Sequence, residues 1–258
     1  LMATNLFAGG HCAADKTLTE GKFTIATGNP AYFPWVLDDA PESGKGFEAA
    51  VAYAVAKEMG FAEQDVVWVR SSFDEAIQPG VKNFDINMQQ YSITAERDQV
   101  VDFSVPYYTA PMAVLVGAGA ADTKPTIAAL KGLKWGAVGS TTAVQKIANV
   151  VQPTADPLLY GDNADVNAAI TANQIDGAMF DLPTALFLSA VMIEGSKVIG
   201  QFPPETSDNA DQFGMLMEEG NPLKACVDAA LTAMTENGTL ASIEAQWLQD
   251  TTGVPLIK

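Results

Sequence analysis

Arg97 is the residue whose surroundings local structure explains least. Thr94 has the type and position of a helix N-cap, and residues 95–97 are predicted to form the first helical turn. A cation in the first turn opposes the helix dipole, so helix formation does not account for it. A guanidinium presents a planar fork of donors that binds a carboxylate through two hydrogen bonds. Arg97 is therefore a candidate anion-binding residue; the structural alternative is a surface ion pair with Glu96 or Asp98.

Asp181 is the second charged candidate. It follows an apolar strand predicted over residues 177–180, at the strand end where open α/β sheets place ligand groups. It also precedes Pro183, a residue favoured in the first helical turn, and the pattern by itself favours this structural alternative, an N-cap role for Asp181. Upstream, Thr141 and Thr142 lie in a small, hydroxylated strand-to-helix turn, whose N–H groups either hold an anion or simply begin a helix.

An aromatic loop, Tyr32-Phe33-Pro34-Trp35, follows the first predicted strand. Rings at the carboxyl end of a strand either line a pocket or belong to the core. Three rings on one loop favour at least one of them, Tyr32, Phe33 or Trp35, as a pocket wall.

The elements that must position these residues alternate between strand and helix. Apolar runs bounded by turn residues predict strands, and apolar residues every four positions predict a helix over residues 46–59. The first hundred residues therefore read β-α-β-α-β, which predicts an α/β fold whose sheet is covered by helices. Further strands are predicted over residues 112–116, 135–138, 177–180, 197–202 and 213–217, with closing helices over 222–236 and 239–248.

Composition excludes several partners. The 258 residues contain 14 Lys and Arg against 31 Asp and Glu, a net charge of −17, so phosphate backbones and anionic lipid surfaces would repel the chain. No apolar run approaches the roughly 20 residues of a spanning helix, and no direct membrane insertion is expected. The chain opens without a leader pattern, so we expect any export signal to have been removed. No phosphate-loop, dinucleotide or calcium motif is present, and no cofactor is expected.

Cys12 and Cys226 are the only cysteines, and His11 is the only histidine. Clustered thiol or histidine metal sites are therefore excluded. We predict a Cys12–Cys226 disulfide that ties the N-terminal segment to the penultimate helix. The alternatives are two unrelated thiols or a lipidated Cys12.

At residues 92–108 the sequence resembles a known family. SITAER, beginning at Ser92, and VDFSVPYY, ending at Tyr108, resemble the signature of family 3 extracellular solute-binding proteins, the polar amino-acid receptors of ABC importers. Supporting similarity extends over roughly residues 20–250. The resemblance implies a two-lobed type II periplasmic binding protein, each lobe a mixed sheet flanked by helices, with the ligand in the interlobe cleft.

The resemblance also implies ligand-binding roles. Arg97 would bind the α-carboxylate of an amino acid, with an N–H from Thr142, and Asp181 would pair with its α-ammonium. Ser92 would contribute its N–H and hydroxyl, and Gln90 its carbonyl. The family often has glycine where Gln90 stands and aspartate where Glu48 stands, so both residues are expected to shape the ligand pocket.

We therefore interpret the chain as an exported, monomeric protein of the periplasm or cell envelope. It would capture a free L-amino acid, deliver it to a membrane permease and catalyse no reaction. Residues 1–19 would form an extended lead-in, 20–110 the first lobe and 111–210 the second, and 211–258 would return to the first lobe. Hinge closure would occur near residues 108–111 and 210–213.

The ligand is expected to be polar and of middle size, with glutamine ahead of a cationic amino acid. The amide of Gln90 favours glutamine, whereas aromatic faces and the carboxylates of Glu48 and Asp39 favour a cation. Two rivals remain: a periplasmic dehydratase on the same fold, with Glu48 or Asp39 as its acid or base, and an amino-acid-sensing domain, which the end of the chain soon after Trp247 disfavours.

Overall fold

The computed structural model describes residues 12–202, 210–248 and 253–258. The chain divides into two compact units: Leu1–Tyr108 with Gln212–Gln249, and Thr109–Asp211 with Asp250–Lys258. His11 lies outside the described residues, as does most of the predicted lead-in.

Strands and helices alternate along most of the chain, as the sequence predicts. The strands are β1 (Phe23–Thr27), β2 (Val66–Arg70), β3 (Ile86–Asn87), β4 (Val101–Phe103), β5 (Tyr108–Val116), β6 (Trp135–Val138), β7 (Leu158–Tyr160), β8 (Gly177–Asp181), β9 (Lys197–Gln201), β10 (Ala210–Phe213) and β11 (Leu216–Glu218). The α-helices that lie wholly within the described residues are α1 (Phe47–Glu58), α2 (Phe73–Ile77), α3 (Ile127–Leu130), α4 (Thr142–Lys146), α5 (Asn163–Thr171), α6 (Leu182–Phe187), α7 (Lys224–Glu236) and α8 (Thr239–Trp247).

The first unit is built on a five-stranded mixed sheet in the order β2-β1-β3-β11-β4. The strands β1, β2 and β3 are parallel, and β11 runs antiparallel to β3 and β4. Every residue of β1 is buried, because helices cover the parallel part of the sheet. The carboxyl ends of three parallel strands therefore lie at one edge, followed by residues 28–35, 71–73 and 88–92.

A glycine sets the start of α1. Gly46 has φ +104°, and a Cβ there would lie 2.5 Å from the carbonyl oxygen of Trp35. That oxygen accepts the N–H groups of Glu48 at 3.0 Å and Ala49 at 3.2 Å, so the loop after β1 begins the helix. Only a residue without a side chain fits this close approach.

The predicted Cys12–Cys226 disulfide is present, with the two Cα atoms 5.6 Å apart. It joins the N-terminal segment to α7. The buried carboxylate of Asp85 also joins this segment to β1, because it accepts the N–H of Leu18 at 2.9 Å and the N–H of Thr24, in β1, at 2.7 Å. The described part of the lead-in, residues 12–19, consequently forms turns and not the extended segment predicted from sequence.

The second unit is built on a six-stranded mixed sheet in the order β10-β5-β8-β6-β7, with β9 also paired to β5. Along β5, Met112, Val114 and Val116 pack into one core cluster, and Ala113 and Leu115 pack into another. The alternation shows that helices bury both faces, which explains a strand that is apolar at nearly every position.

Two predicted boundaries are wrong. The end of the chain does not return to the first unit: Leu256 pairs with Gln201, and Ile257 lies in the core around β5. The strand predicted over residues 213–217 is split into β10 and β11, with Gly214 and Met215 between them. No helix among residues 12–202, 210–248 and 253–258 is long and apolar enough to cross a membrane.

Candidate ligand-binding site

Arg97 begins a short 3-10 turn, Arg97–Gln99, and not an α-helix. The residue that precedes the turn is Glu96, so the predicted N-cap position of Thr94 and the predicted helical turn over residues 95–97 are wrong. Thr94 still contacts the turn: its Oγ1 accepts the Arg97 N–H at 3.1 Å, and its carbonyl accepts the Asp98 N–H at 2.9 Å. The hydroxyl of Thr94 therefore holds the backbone of Arg97 in place.

The guanidinium of Arg97 is oriented within the first unit. Its Nη1 donates to the Ser92 carbonyl at 2.7 Å, and its Cζ lies 5.5 Å from the centre of the Phe73 ring. Phe73 in turn stacks on Tyr91, with ring centres 4.3 Å apart. Arg97 as a whole residue is 7% exposed, which does not fit the surface ion pair considered from sequence. A carbonyl and an aromatic face thus orient this fork of donors.

Residues 91–93 are held by pairing with residues 212–214, which also belong to the first unit. Ser92 forms an antiparallel bridge with Phe213, the Ile93 N–H donates to the Gln212 carbonyl at 2.9 Å, and the Gly214 N–H donates to the Tyr91 carbonyl at 3.0 Å. Ser92 is buried and lies two residues beyond Gln90. The backbone of Ser92 is thus held by a bridge to Phe213 and by the hydrogen bonds of its two neighbours.

Glu48 lies in the first turn of α1 and is 1% exposed. Its Oε1 accepts the Gln90 N–H at 2.9 Å and also accepts the hydroxyl of Tyr107, and its Oε2 accepts the Gln90 side-chain amide at 2.6 Å. A buried carboxylate needs such partners, because it has lost its contacts with water. The structure therefore joins Glu48 to Gln90, two residues that the sequence analysis selected separately.

The aromatic loop divides between core and partly exposed rings. Trp35 is 1% exposed and packs edge-on against Phe47, Tyr108 and Phe213 at 5.6–5.9 Å, so it is a core residue and not a pocket wall. Tyr32 and Phe33 are partly exposed. They follow β1 at the same sheet edge as Gln90, and their role as walls stays a prediction.

In the second unit, Asp181 is a helix N-cap, which is the structural role that the sequence offered as an alternative to ligand binding. Its Oδ1 accepts the Thr184 N–H at 2.8 Å at the start of α6. Burial raises the pKa of Asp181 to about 6, and repulsion from Asp211 adds to this, although the hydrogen bonds from Thr184 act in the opposite direction. The carboxylate is thus one that a nearby cation would stabilise.

Thr141 and Thr142 lie at the same edge of the second sheet as Asp181, because β6 and β8 are parallel and paired. Thr141 is the N-cap residue of α4, and its hydroxyl donates to the Val138 carbonyl at 2.8 Å. The Thr142 hydroxyl donates to Asp211 Oδ2 at 2.8 Å. The Lys146 ammonium, one turn further along the helix, lies 3.7 Å from Asp211 Oδ1.

Sequence reasoning missed three of these residues: Phe73, Tyr107 and Asp211. The polar segment 203–211, which begins with two prolines, is predicted from sequence to form a loop, and most of it lies outside the described residues. In the structure Asp211 and Phe213 are buried while Gln212 is exposed. One of the two buried positions is a charged residue, so the sequence has no apolar alternation that would indicate a strand there. Phe73, the first residue of α2, follows the end of β2 much as the aromatic loop follows β1.

Among the described ranges 12–202, 210–248 and 253–258, no group of three or more His, Cys, Asp and Glu side chains is arranged to hold a metal ion. The polar groups assembled at the two sheet edges are a guanidinium, carboxylates, hydroxyls and backbone amides. Such groups bind polar organic ions through hydrogen bonds and ion pairs.

Comparison with known proteins defines the class of protein. The family model of bacterial extracellular solute-binding proteins, family 3, matches residues 24–250. The chain therefore belongs to this family. Its two mixed sheets flanked by helices are the type II periplasmic-binding-protein fold, as the sequence resemblance implies.

Individual relatives are distant but cover most of the chain. An L-arginine-binding protein of Pseudomonas aeruginosa is 25% identical over 240 residues, covering 91% of this chain and 89% of the relative. The structure of an ancestral arginine-binding protein bound to glutamine has a TM-score of 0.73 at 26% identity, covering 90% of this chain and 100% of that one. The crystal structure of an ancestral amino acid-binding protein, a precursor of cyclohexadienyl dehydratase, has a TM-score of 0.69 at 27% identity, covering 89% and 96%.

Proposed function

We propose that this protein captures a free L-amino acid and delivers it to the permease of an ABC importer. The observation that carries the proposal is the buried Arg97 guanidinium, which the Ser92 carbonyl and the Phe73 ring hold in a fixed orientation. A preorganised fork of donors suits a carboxylate, because little side-chain freedom is lost on binding. Ser92 and Thr142 would add hydrogen bonds to the same carboxylate.

Asp181 is the proposed partner of the ligand's α-ammonium. One of its oxygens is used in capping α6, but a carboxylate has about four acceptor positions in all. Its raised pKa supports this role, since an ammonium would favour the ionised form that burial disfavours. The carbonyl of Gln90 would accept a further ammonium proton.

The side chain of the ligand is proposed to be polar, with glutamine ahead of a cation. The carboxylates that favour a cation both have partners within the first unit: Glu48 accepts from Gln90 and Tyr107, and Asp39 accepts from Arg70 and the Ala31 N–H. Burial acts to raise the pKa of Asp39, but these hydrogen bonds leave it below its usual value. The names of the relatives support both arginine and glutamine as candidates.

The proposed location is the periplasm or the cell envelope, where the protein would act as a monomer that meets a permease. The name of the family supports an extracellular location, and ABC importers of this kind receive their substrate from outside the cell. The net charge of −17 supports the absence of nucleic-acid and anionic membrane partners.

Two measurements test the proposal. Mass spectrometry under native conditions would identify any amino acid retained after purification, and a thermal-shift screen of the twenty amino acids would measure the stabilisation that each one gives. We expect a rise in melting temperature for one polar amino acid or a small group. A response confined to leucine, isoleucine and valine would show that the pocket is wrongly assigned, and no response at all would refute amino-acid binding.

One observation favours a second function, a dehydratase acting on a cyclic carboxylic acid, because an ancestral relative is a precursor of such an enzyme. Asp39 and Glu48 were its candidate acid or base from sequence, and both accept hydrogen bonds within the first unit. Incubation with a cyclohexadienyl carboxylic acid, followed by absorbance of an aromatic product, separates the two functions. We expect no turnover above that of a heat-denatured sample.

A further inference from the structure

We propose that Glu48 and Tyr107 are positioning residues, which hold Gln90 in the backbone conformation that presents its carbonyl to the ligand. The inference rests on the proposed function, because the ligand contact of Gln90 is part of it. It changes the role expected for Glu48 from direct ligand contact to action through a neighbour.

The backbone of Gln90 is in an unfavourable conformation. Its φ is +52°, in the left-handed region that residues with a side chain rarely adopt. Glycine occupies this region without a steric penalty. Residues held in sparsely populated conformations persist when the surrounding contacts determine them, and they cluster at ligand sites.

Glu48 supplies those contacts at both ends of Gln90. One carboxylate oxygen accepts the backbone N–H at 2.9 Å, and the other accepts the side-chain amide at 2.6 Å. The two hydrogen bonds fix the backbone and the side chain of the same residue through one carboxylate. The hydroxyl of Tyr107 donates to the oxygen that holds the backbone N–H, which fixes the position of that oxygen.

The burial of the three groups makes the arrangement specific. Glu48 is almost completely buried at the start of α1, Tyr107 is buried, and Gln90 is partly exposed at the sheet edge. The start of a helix favours a carboxylate. Glu48 and Gln90 are also the two positions at which the sequence departs from the family resemblance, and they contact each other. Glu48, which is longer than the aspartate common in the family, is therefore paired with Gln90, whose backbone conformation has to be stabilised by other residues.

Four variants test the inference by calorimetric titration with the amino acid that the thermal-shift screen selects. Glu48→Gln replaces one of the two carboxylate oxygens with an NH2 donor, so only one of the two Gln90 N–H groups keeps its acceptor, and affinity should weaken about tenfold or more. Tyr107→Phe should weaken it by a factor of about three. Adding Gln90→Gly to Glu48→Gln should restore part of the lost affinity, because glycine needs no partner to adopt a positive φ. Glu58→Gln, at the exposed end of the same helix, is the matched control and should bind like the wild type.

Rescue by glycine separates positioning from a general structural role, since a loosened core would not regain affinity through a change at position 90. Melting temperatures are recorded alongside for every variant. Should Glu48→Gln fail to fold, Tyr107→Phe with and without Gln90→Gly gives the same comparison. Unchanged affinity in both single variants, or a double variant no better than Glu48→Gln, would overturn the inference alone. A wild-type protein that binds no amino acid would overturn the proposed function, and the inference with it.

Discussion

The two units hold their candidate charged residues in opposite ways. In the first unit, Arg97 begins a three-residue 3-10 turn whose first two N–H groups are both accepted by Thr94, so the turn forms without any contribution from the Arg97 side chain. In the second unit, Asp181 is a carboxylate at the start of a helix, where such a residue is common. Local physical chemistry therefore explains Asp181 without a ligand but does not explain Arg97.

This difference shows how far the local position of a residue indicates its function. A side chain that its local structure does not use is held by tertiary contacts, and Arg97 has them in Ser92 and Phe73. A residue that local structure favours carries less information about function. The case for Asp181 depends on its raised pKa and on its position at the same sheet edge as Thr142.

The largest expected effect is the loss of ligand binding in Arg97→Ala. Removing a buried, charge-assisted pair of hydrogen bonds should cost about 2–5 kcal/mol, a weakening of roughly tens to thousands of times. Lys57→Ala is the control, because Lys57 is an exposed cation in the last turn of α1 in the same unit and should bind like the wild type. Calorimetric titration measures both variants. Affinity near the wild-type value in Arg97→Ala would refute the carboxylate-binding role.

Removal of the disulfide should affect stability and not affinity. The Cys12–Cys226 bridge spans 214 residues of sequence, yet both cysteines belong to the first unit. Cys12→Ser with Cys226→Ser should lower the free energy of unfolding by about 2–5 kcal/mol. Denaturant unfolding and ligand titration of the same sample give the two values. An unchanged unfolding midpoint, or free thiols in the wild-type protein by peptide mapping, would contradict the prediction.

Asp181→Asn should weaken the binding of ligands that carry a free α-ammonium by about tenfold, because one ion pair is lost. Asp162→Asn provides a matched control, because Asp162 caps α5 through the Asp165 N–H at 2.8 Å, the same distance as in the Asp181 cap. Both variants should lose a similar, small amount of stability, since asparagine is also a good N-cap. If the two variants bind the ligand with equal affinity, Asp181 serves only as a helix cap and does not contact the α-ammonium.

An effect of about the same size as that of Asp181→Asn is a pH dependence of ligand affinity that arises from Asp181. Asp181 has a raised pKa of about 6 in the free protein and must be ionised to pair with an ammonium. Below that pH, binding requires release of a proton, so affinity should fall about tenfold between pH 7 and pH 5. Arg97 stays charged throughout this range.

Two variants check the source of the pH dependence. Asp181→Asn should remove it, because no titrating carboxylate remains at that position. Asp211→Asn should shift it to lower pH, since repulsion from Asp211 contributes to the raised pKa of Asp181. Titration at constant ionic strength is the measurement, and an unchanged pH profile in both variants would assign the dependence to another group.

The sequence by itself determined the elements whose signals are local. The strand β6 was predicted at its observed bounds, and the run Phe23–Thr27, which ends before Gly28 and Pro30, likewise indicates the buried strand β1, because short apolar runs bounded by turn residues specify buried strands. Ser72 and Glu75 have the spacing of a capping box, and the Ser72 hydroxyl accepts the Glu75 N–H at 3.1 Å. The strand β7 was missed, since Leu158 and Leu159 are largely exposed and its length is only three residues.

Only the tertiary structure decided which residues act together. Glu48 and Gln90 are 42 positions apart, and Thr142 and Asp211 are 69 apart, so no local pattern joins them. The core position of Trp35 and the return of residues 253–258 to the second unit depend in the same way on distant strands. Propensity, capping and turn chemistry act over a few residues, whereas burial and long-range pairing depend on how the whole chain folds.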